Sequence, residues 1–116
     1  MWTVRAALPP MLAAGEGDVV IVSSVAGFRG GPDEAVYAGT KHAQVGLAGS
    51  LDRELREKGV RVTLIFPAGT GTEFAVGAGR TEQDPRFADW LSPVDVASAI
   101  VATLHQPRTL RTAAVP

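Results

Sequence analysis

The sequence predicts an α/β fold built on a parallel sheet, and three observations predict it. Two β-branched runs, "DVVIVS" at 18–23 and "VRVTLIF" at 60–66, are continuous rather than alternating, the pattern of strands covered on both faces. One long helical stretch separates them, so the order is strand, helix, strand. A connection of that length joins parallel neighbours, with a right-handed crossover expected. A length of 116 residues with 46% hydrophobic content suits one compact domain with its own core.

Each element has a local reason. Trp2 to Ala14 has a helical pattern, with a kink expected at Pro9 and Pro10, which lack backbone donors. Gly15 to Gly17 punctuate before the first strand, and Ser24 to Pro32 is a loop rich in glycine. The long helix is expected from about Asp33 to Lys58, with Gly59 as a left-handed C-terminal cap. Leu47, Leu51 and Leu55 recur every fourth residue and face inward, while Asp52–Arg56 and Glu54–Lys58 have ion-pair spacing. Ala38, Gly39, Ala43, Gly46 and Gly49 weaken that helix, which implies close approach of another element. Pro67 ends the second strand. Glu73 to Leu91 is polar and irregular, a loop placed to cover a ligand. Ser92 N-caps a further helix with Pro93 in its first turn and Asp95 three residues after the cap, extending to Pro107. A third strand is expected from Leu110 to Val115.

Composition removes several functions. Eleven basic residues against twelve acidic leave a net charge of -1, with no field for nucleic acid or anionic membrane. Without cysteine there is no disulfide framework and no thiolate metal site, and no metal is expected. The opening "MWTVRAALPPMLAAGEG" is read as a helix rather than a secretory signal, because Pro9 and Pro10 break its apolar run. No segment nears the roughly 18 apolar residues of a membrane span. A cytoplasmic location is expected.

Tyr37 and Lys41, within "VYAGTK", carry the chemistry. Four residues apart on a helix, they share a face with Cβ atoms about 5–6 Å apart. An ammonium beside a phenol favours the phenolate, giving a group that exchanges a proton more readily. The spacing alone is common on helices. Its context is not: "IVSSVAG" precedes it, a strand running into a serine loop, and parallel α/β folds place ligand groups at the carboxyl ends of strands. Ser24 is then a candidate partner, although loop hydroxyls commonly satisfy their own backbone. His42 points to another face and takes no catalytic role.

These motifs, with "AALPPM" before them and "SPVDVASAIV" after, resemble the catalytic half of the short-chain dehydrogenase/reductase family. The similarity runs through "GDVVIVSSVAG" and "YAGTKHAQVGLAGSLDRELREKGVRVTLIFPAG" and covers nearly the whole chain. Ser24 lies thirteen residues before Tyr37, a spacing similar to the family's, so the serine role falls to Ser24 rather than Ser23. The resemblance implies a Rossmann-like doubly wound sheet and hydride transfer between a nicotinamide cofactor and an alcohol or carbonyl substrate. It implies that Tyr37 is the acid/base, Ser24 orients the substrate oxygen, and Lys41 holds the nicotinamide ribose. "PAGTGTEF" resembles the loop beside the nicotinamide, with Pro67, Gly69, Thr70 and Thr72 as cofactor residues and Ala68 where the family usually has glycine.

The family's Gly-rich phosphate turn at a helix N-terminus is not found in residues 1–116. The expectation is therefore a truncated fold: the C-terminal half of a doubly wound NAD(P)-binding domain, inactive alone, with NAD and NADP not distinguished. The alternative is a non-catalytic remnant or interaction module that pairs with a related subunit. An exposed strand edge makes a homo-oligomer, or such a pairing, the expected state.

Overall fold

The computed structural model describes residues 1–115 and has the expected α/β architecture. Strands β1 (Gly17–Val22), β2 (Val60–Ile65) and β3 (Ala114–Val115) form one sheet in the order β1-β2-β3, and both pairings are parallel. Helix α1 (Trp2–Ala14) precedes the sheet, α2 (Ala35–Leu55) connects β1 to β2, and α3 (Pro93–Leu104) lies between β2 and β3. Gly17 pairs with Val60 and Val22 with Ile65, so β1 and β2 end level and their carboxyl ends open onto one rim.

Strand β2 is buried along its whole length. Alternate side chains divide between two layers. Val60, Val62 and Leu64, with Phe66 just beyond, join Ala48, Leu51 and Leu55 of α2 in the core, and Val4, Leu8 and Met11 of α1 pack against it. Leu47 is partly buried on the same core, so the leucine repeat points inward as expected. On the opposite face Arg61 and Thr63 are buried beneath the chain after α3. The Thr63 hydroxyl donates to the Thr112 carbonyl at 2.7 Å. The Arg61 guanidinium donates to the carbonyls of Leu104, Gln106 and Pro107 and to the Asp18 carboxylate. A cation at the carbonyl-rich end of α3 satisfies groups the helix leaves unpaired.

Strand β1 is half-buried rather than enclosed, because it stands at the sheet's edge with β2 on one side only. Helix α1 runs uninterrupted through Pro9 and Pro10. Both prolines and the residues one turn before them, Arg5 and Ala6, are exposed, so water can take the carbonyls that lose an N–H donor. Gly15 ends α1 at φ 69°, and the N–H groups of Gly15 and Glu16 return to the carbonyls of Leu12 and Met11.

Helix α2 begins at Ala35, not Asp33, because Asp33 has a φ of 61° and cannot enter a right-handed helix. It ends at Leu55 and tightens into a 3-10 turn over Arg56–Lys58, capped by Gly59 at φ 80°. Asp52 pairs with Arg56 as expected. Glu54 and Lys58 form no ion pair, since Lys58 lies in the tightened turn. The small residues of α2 also differ from expectation. A methyl group added at Gly39, Gly46 or Gly49 would meet nothing within 4 Å, so no other element among the described residues approaches them there. Ala38 alone of that stripe is buried, beside Gly30.

Ser92 caps α3 reciprocally with Asp95. The Ser92 hydroxyl accepts from the Asp95 N–H, and the Asp95 carboxylate accepts from the Ser92 hydroxyl and from the Ser92 N–H, bonds that hold that carboxyl below its ordinary value. The helix stops at Leu104, and β3 is only two residues long where a longer strand was expected.

Candidate active site

Chain geometry at the end of β1 builds the site. The Ser23 N–H donates to the Ile65 carbonyl at 2.8 Å and the Val25 N–H to the Pro67 carbonyl at 3.1 Å, extending the sheet contact past both strands. Ser24, fully extended, caps the 3-10 turn Val25–Gly27, and its Oγ accepts from the Ala26 N–H at 3.1 Å. That contact uses a lone pair and leaves the hydroxyl proton free to donate. Ser24 thus satisfies its own loop and retains a donor.

Two contacts dock α2 on this loop, and a third holds the loop to the end of β2. The Ser23 hydroxyl donates to the Lys41 carbonyl at 3.1 Å, and the Lys41 Nζ donates to the Val22 carbonyl at 3.2 Å. Phe28 stacks on Phe66 with ring centres 4.1 Å apart. Tyr37 and Lys41 share one face, with the Lys41 Nζ 5.6 Å from the Tyr37 ring centre. His42 is exposed and its Nδ1 lies 2.8 Å from the Ala38 carbonyl of its own helix.

Ser24 and Tyr37 line one cavity of about 260 Å³ at the rim of the strands, together with Pro67, Gly69, Thr70 and Thr72. Lys41 is not among its lining residues; its ammonium is drawn to the end of β1. The Thr70 hydroxyl donates to the Ala68 carbonyl, and the Thr72 hydroxyl accepts from the Phe74 N–H. One hydroxyl therefore presents lone pairs and the other a proton. Ala68 adopts an ordinary negative φ, so the loop does not require glycine there. Gly69 is more constrained: a Cβ there would lie 2.6 Å from the Trp90 indole.

The stretch from Glu73 to Leu91 folds back over this rim. Leu91 N–H donates to the Gly69 carbonyl and Gly71 N–H to the Leu91 carbonyl. Asp84, buried within it, receives the side chain and backbone N–H of Arg86, and these hydrogen bonds hold its carboxyl down to about 2. Phe74 and Arg80 also line the Tyr37 cavity, and Trp90 packs behind them. Sequence reasoning misses all three, because an irregular stretch has no periodicity to align its side chains. The only available signal is the loop's length and its aromatic residues beside arginines. Among the described residues no cluster of three metal-ligating side chains occurs, and no helix is long and apolar enough to cross a membrane.

A family model described as short chain dehydrogenase matches residues 1–83. The chain belongs to this family. An uncharacterised oxidoreductase of Staphylococcus aureus strain MW2 is 35% identical over 107 residues, 92% of this chain and 44% of that relative. Among solved structures, the closed form of a serine dehydrogenase complexed with NADP+ superposes with a TM-score of 0.84 at 27% identity, covering 98% of this chain and 49% of its own. An alcohol dehydrogenase from Thermococcus sibiricus complexed with 5-hydroxy-NADP superposes with a TM-score of 0.81 at 25% identity, covering 97% and 46%. The chain thus spans about half the length of the family members it matches, and the Rossmann-like fold is common to them.

Proposed function

We propose that residues 1–116 form the nicotinamide end of an NAD(P)-dependent oxidoreductase that interconverts an alcohol and a carbonyl. The observation that carries this reading is the shared cavity of Ser24 and Tyr37 at the strand ends, with Lys41 one helical turn from Tyr37. The donor set of the loop after β2 fits the cofactor's carboxamide: the Thr72 hydroxyl has a proton to give to an amide oxygen, and Thr70 has lone pairs to accept an amide N–H. When bound, the cofactor supplies or accepts the hydride.

The chain's own residues do the rest. Tyr37 gives its phenolic proton to the substrate oxygen as a carbonyl is reduced and takes one back in the reverse direction. The Ser24 hydroxyl, polarised by its bond from Ala26, donates to the same oxygen and fixes its position. Lys41 uses one of its three protons on Val22 and has two for ribose hydroxyls. Residues 1–116 contain no Gly-rich turn entering a helix N-terminus, so the cofactor's diphosphate is held by other groups than these.

A second reading is non-catalytic: a module that pairs with a related subunit. It is favoured by the open edge of β1 and by α1, which has no fully buried residue and leaves Trp2 80% exposed.

The experiment uses the chain's single tyrosine. Ring-labelled Tyr37 gives one NMR signal, which reduced nicotinamide mononucleotide, a ligand without the diphosphate-linked adenosine, is expected to move. Lys41→Ala and Thr72→Val should weaken that binding. In an enzyme completed with a family member's Gly-rich half, turnover of a carbonyl panel, followed by loss of nicotinamide absorbance, should vanish in Tyr37→Phe while the far-UV circular dichroism is unchanged. Turnover that survives Tyr37→Phe removes the acid/base role. A chain that neither binds the nucleotide nor turns over leaves the second reading standing.

A further inference from the structure

The cavity that holds Ser24 and Tyr37 also holds a cation in no ion pair, one that acts on Asp84 only through the longer-range field that helps lower its carboxyl. Arg80 is half-buried on its wall, and among the described residues no carboxylate lies within ion-pair distance of it. The guanidinium carbon is 4.5 Å from the centre of the Trp90 ring and 5.6 Å from that of Phe74. The Phe74 ring lies 5.6 Å from that of Tyr37, so the arginine stands one aromatic ring away from the phenol.

Its position is fixed from three sides. The Arg80 N–H donates to the Ala75 carbonyl and its carbonyl accepts from Gly77, closing the turn 75–80. Its side chain donates to the Phe74 carbonyl at 3.2 Å, which uses one of five guanidinium N–H groups. Trp90 is wedged against Gly69, which leaves no room for even a methyl group between them. None of the nearby acids forms an ion pair with Arg80, although Glu34 keeps its charge on the cavity wall. Glu34, on the same cavity, accepts from the Gly31 N–H; Asp84 is held by Arg86; Glu73 and Glu82 line the adjoining cavity of about 920 Å³. A second cation, Arg29, also lines the Tyr37 cavity.

We propose that Arg80 binds a carboxylate of the substrate, so that this site takes oxo acids and hydroxy acids rather than neutral ketones and alcohols. The inference rests on the reading of Tyr37 and Ser24 as the reacting end of the site. A planar guanidinium presents paired N–H donors that match a carboxylate, and its stacking on indole costs it little freedom when the bond forms. The cavity that would hold such an acid is lined by Ser24 and Tyr37 as well as by Arg80. The acidic wall of Glu73 and Glu82 disfavours a second carboxylate in the adjoining cavity, which selects monoacids.

Trp90 reports the binding directly. Trp2→Phe leaves Trp90 as the sole indole. Its emission is titrated with acetoacetate and, separately, with methyl acetoacetate, which has the same carbonyl and no charge. The acid should bind about tenfold or more tightly than the ester. Arg80→Gln should abolish the preference, and Arg80→Lys should restore part of it, with circular dichroism confirming the fold of each. Equal binding of acid and ester, or an acid affinity unchanged in Arg80→Gln, overturns the proposal. The measurement needs no nicotinamide and no turnover. Loss of the acid/base role of Tyr37 would leave it intact, and its own failure would leave the Tyr37→Phe result intact.

Discussion

The starts of β1 and β2 are held together by two glycines in contact, and replacing each by alanine separates two energies. Gly15 and Gly59 both have left-handed backbones, with φ of 69° and 80°. An alanine at either position therefore costs about 1–2 kcal/mol in backbone energy alone. Their surroundings differ. A Cβ at Gly15 meets nothing within 4 Å, whereas a Cβ at Gly59 falls inside the Gly15 carbonyl oxygen and 2.7 Å from its carbon. Backbone atoms cannot rotate away, so the two segments must part by on the order of 1 Å. That strains the Gly17–Val60 register immediately beyond and the Arg108 contact to the Gly59 carbonyl. Forcing an extra carbon into such a contact costs about 1–3 kcal/mol more. Gly15→Ala should lose about 1–2 kcal/mol and Gly59→Ala about 2–5 kcal/mol, a large part of the ~5–15 kcal/mol that holds a domain folded. Urea unfolding followed by circular dichroism measures both, with equal slopes required for the comparison. Losses that agree within about 0.5 kcal/mol would refute the contact argument, because only the backbone term is common to both.

Two further outcomes test the polar framework. Arg61→Met should destabilise the fold by about 3–5 kcal/mol and speed amide exchange at the end of α3, because the buried guanidinium serves the carbonyls of Leu104, Gln106 and Pro107; Asp18 keeps Arg108 as a partner, so a loss below about 1 kcal/mol would show that the carbonyls find other donors. Asp84 has its carboxyl lowered from 3.8 to about 2 by Arg86, so its contribution to stability is complete above 3.8 and is lost as pH falls through about 2. Asp95, lowered by Ser92, acts in the same direction. Acid titrations of the unfolding midpoint should therefore be shallower in Asp84→Asn, and superimposable profiles would remove Asp84 from the acid transition.

Sequence alone determined the elements whose causes are local. The Ser92–Asp95 capping box, the left-handed Gly59, the inward leucines of α2 and the β-branched β2 depend on neighbours within about one or two helical turns, and periodicity and caps record such relations. Ser24, Tyr37 and the loop from Pro67 to Thr72 were legible because strand, loop and helix deliver them to one rim. Tertiary structure decided what depends on distant partners. The glycines of α2 read as a contact surface, yet nothing among the described residues meets them. Lys41 lies at the end of β1 because the edge strand leaves the Val22 carbonyl for it. Arg61 bonds to carbonyls 43 to 46 residues away, and Arg80 becomes a candidate anion site only when an irregular loop brings Trp90, Phe74 and Tyr37 beside it. Hydrogen bonds and ring contacts act over a few ångströms of space, and for such residues spatial proximity bears no regular relation to spacing along the chain.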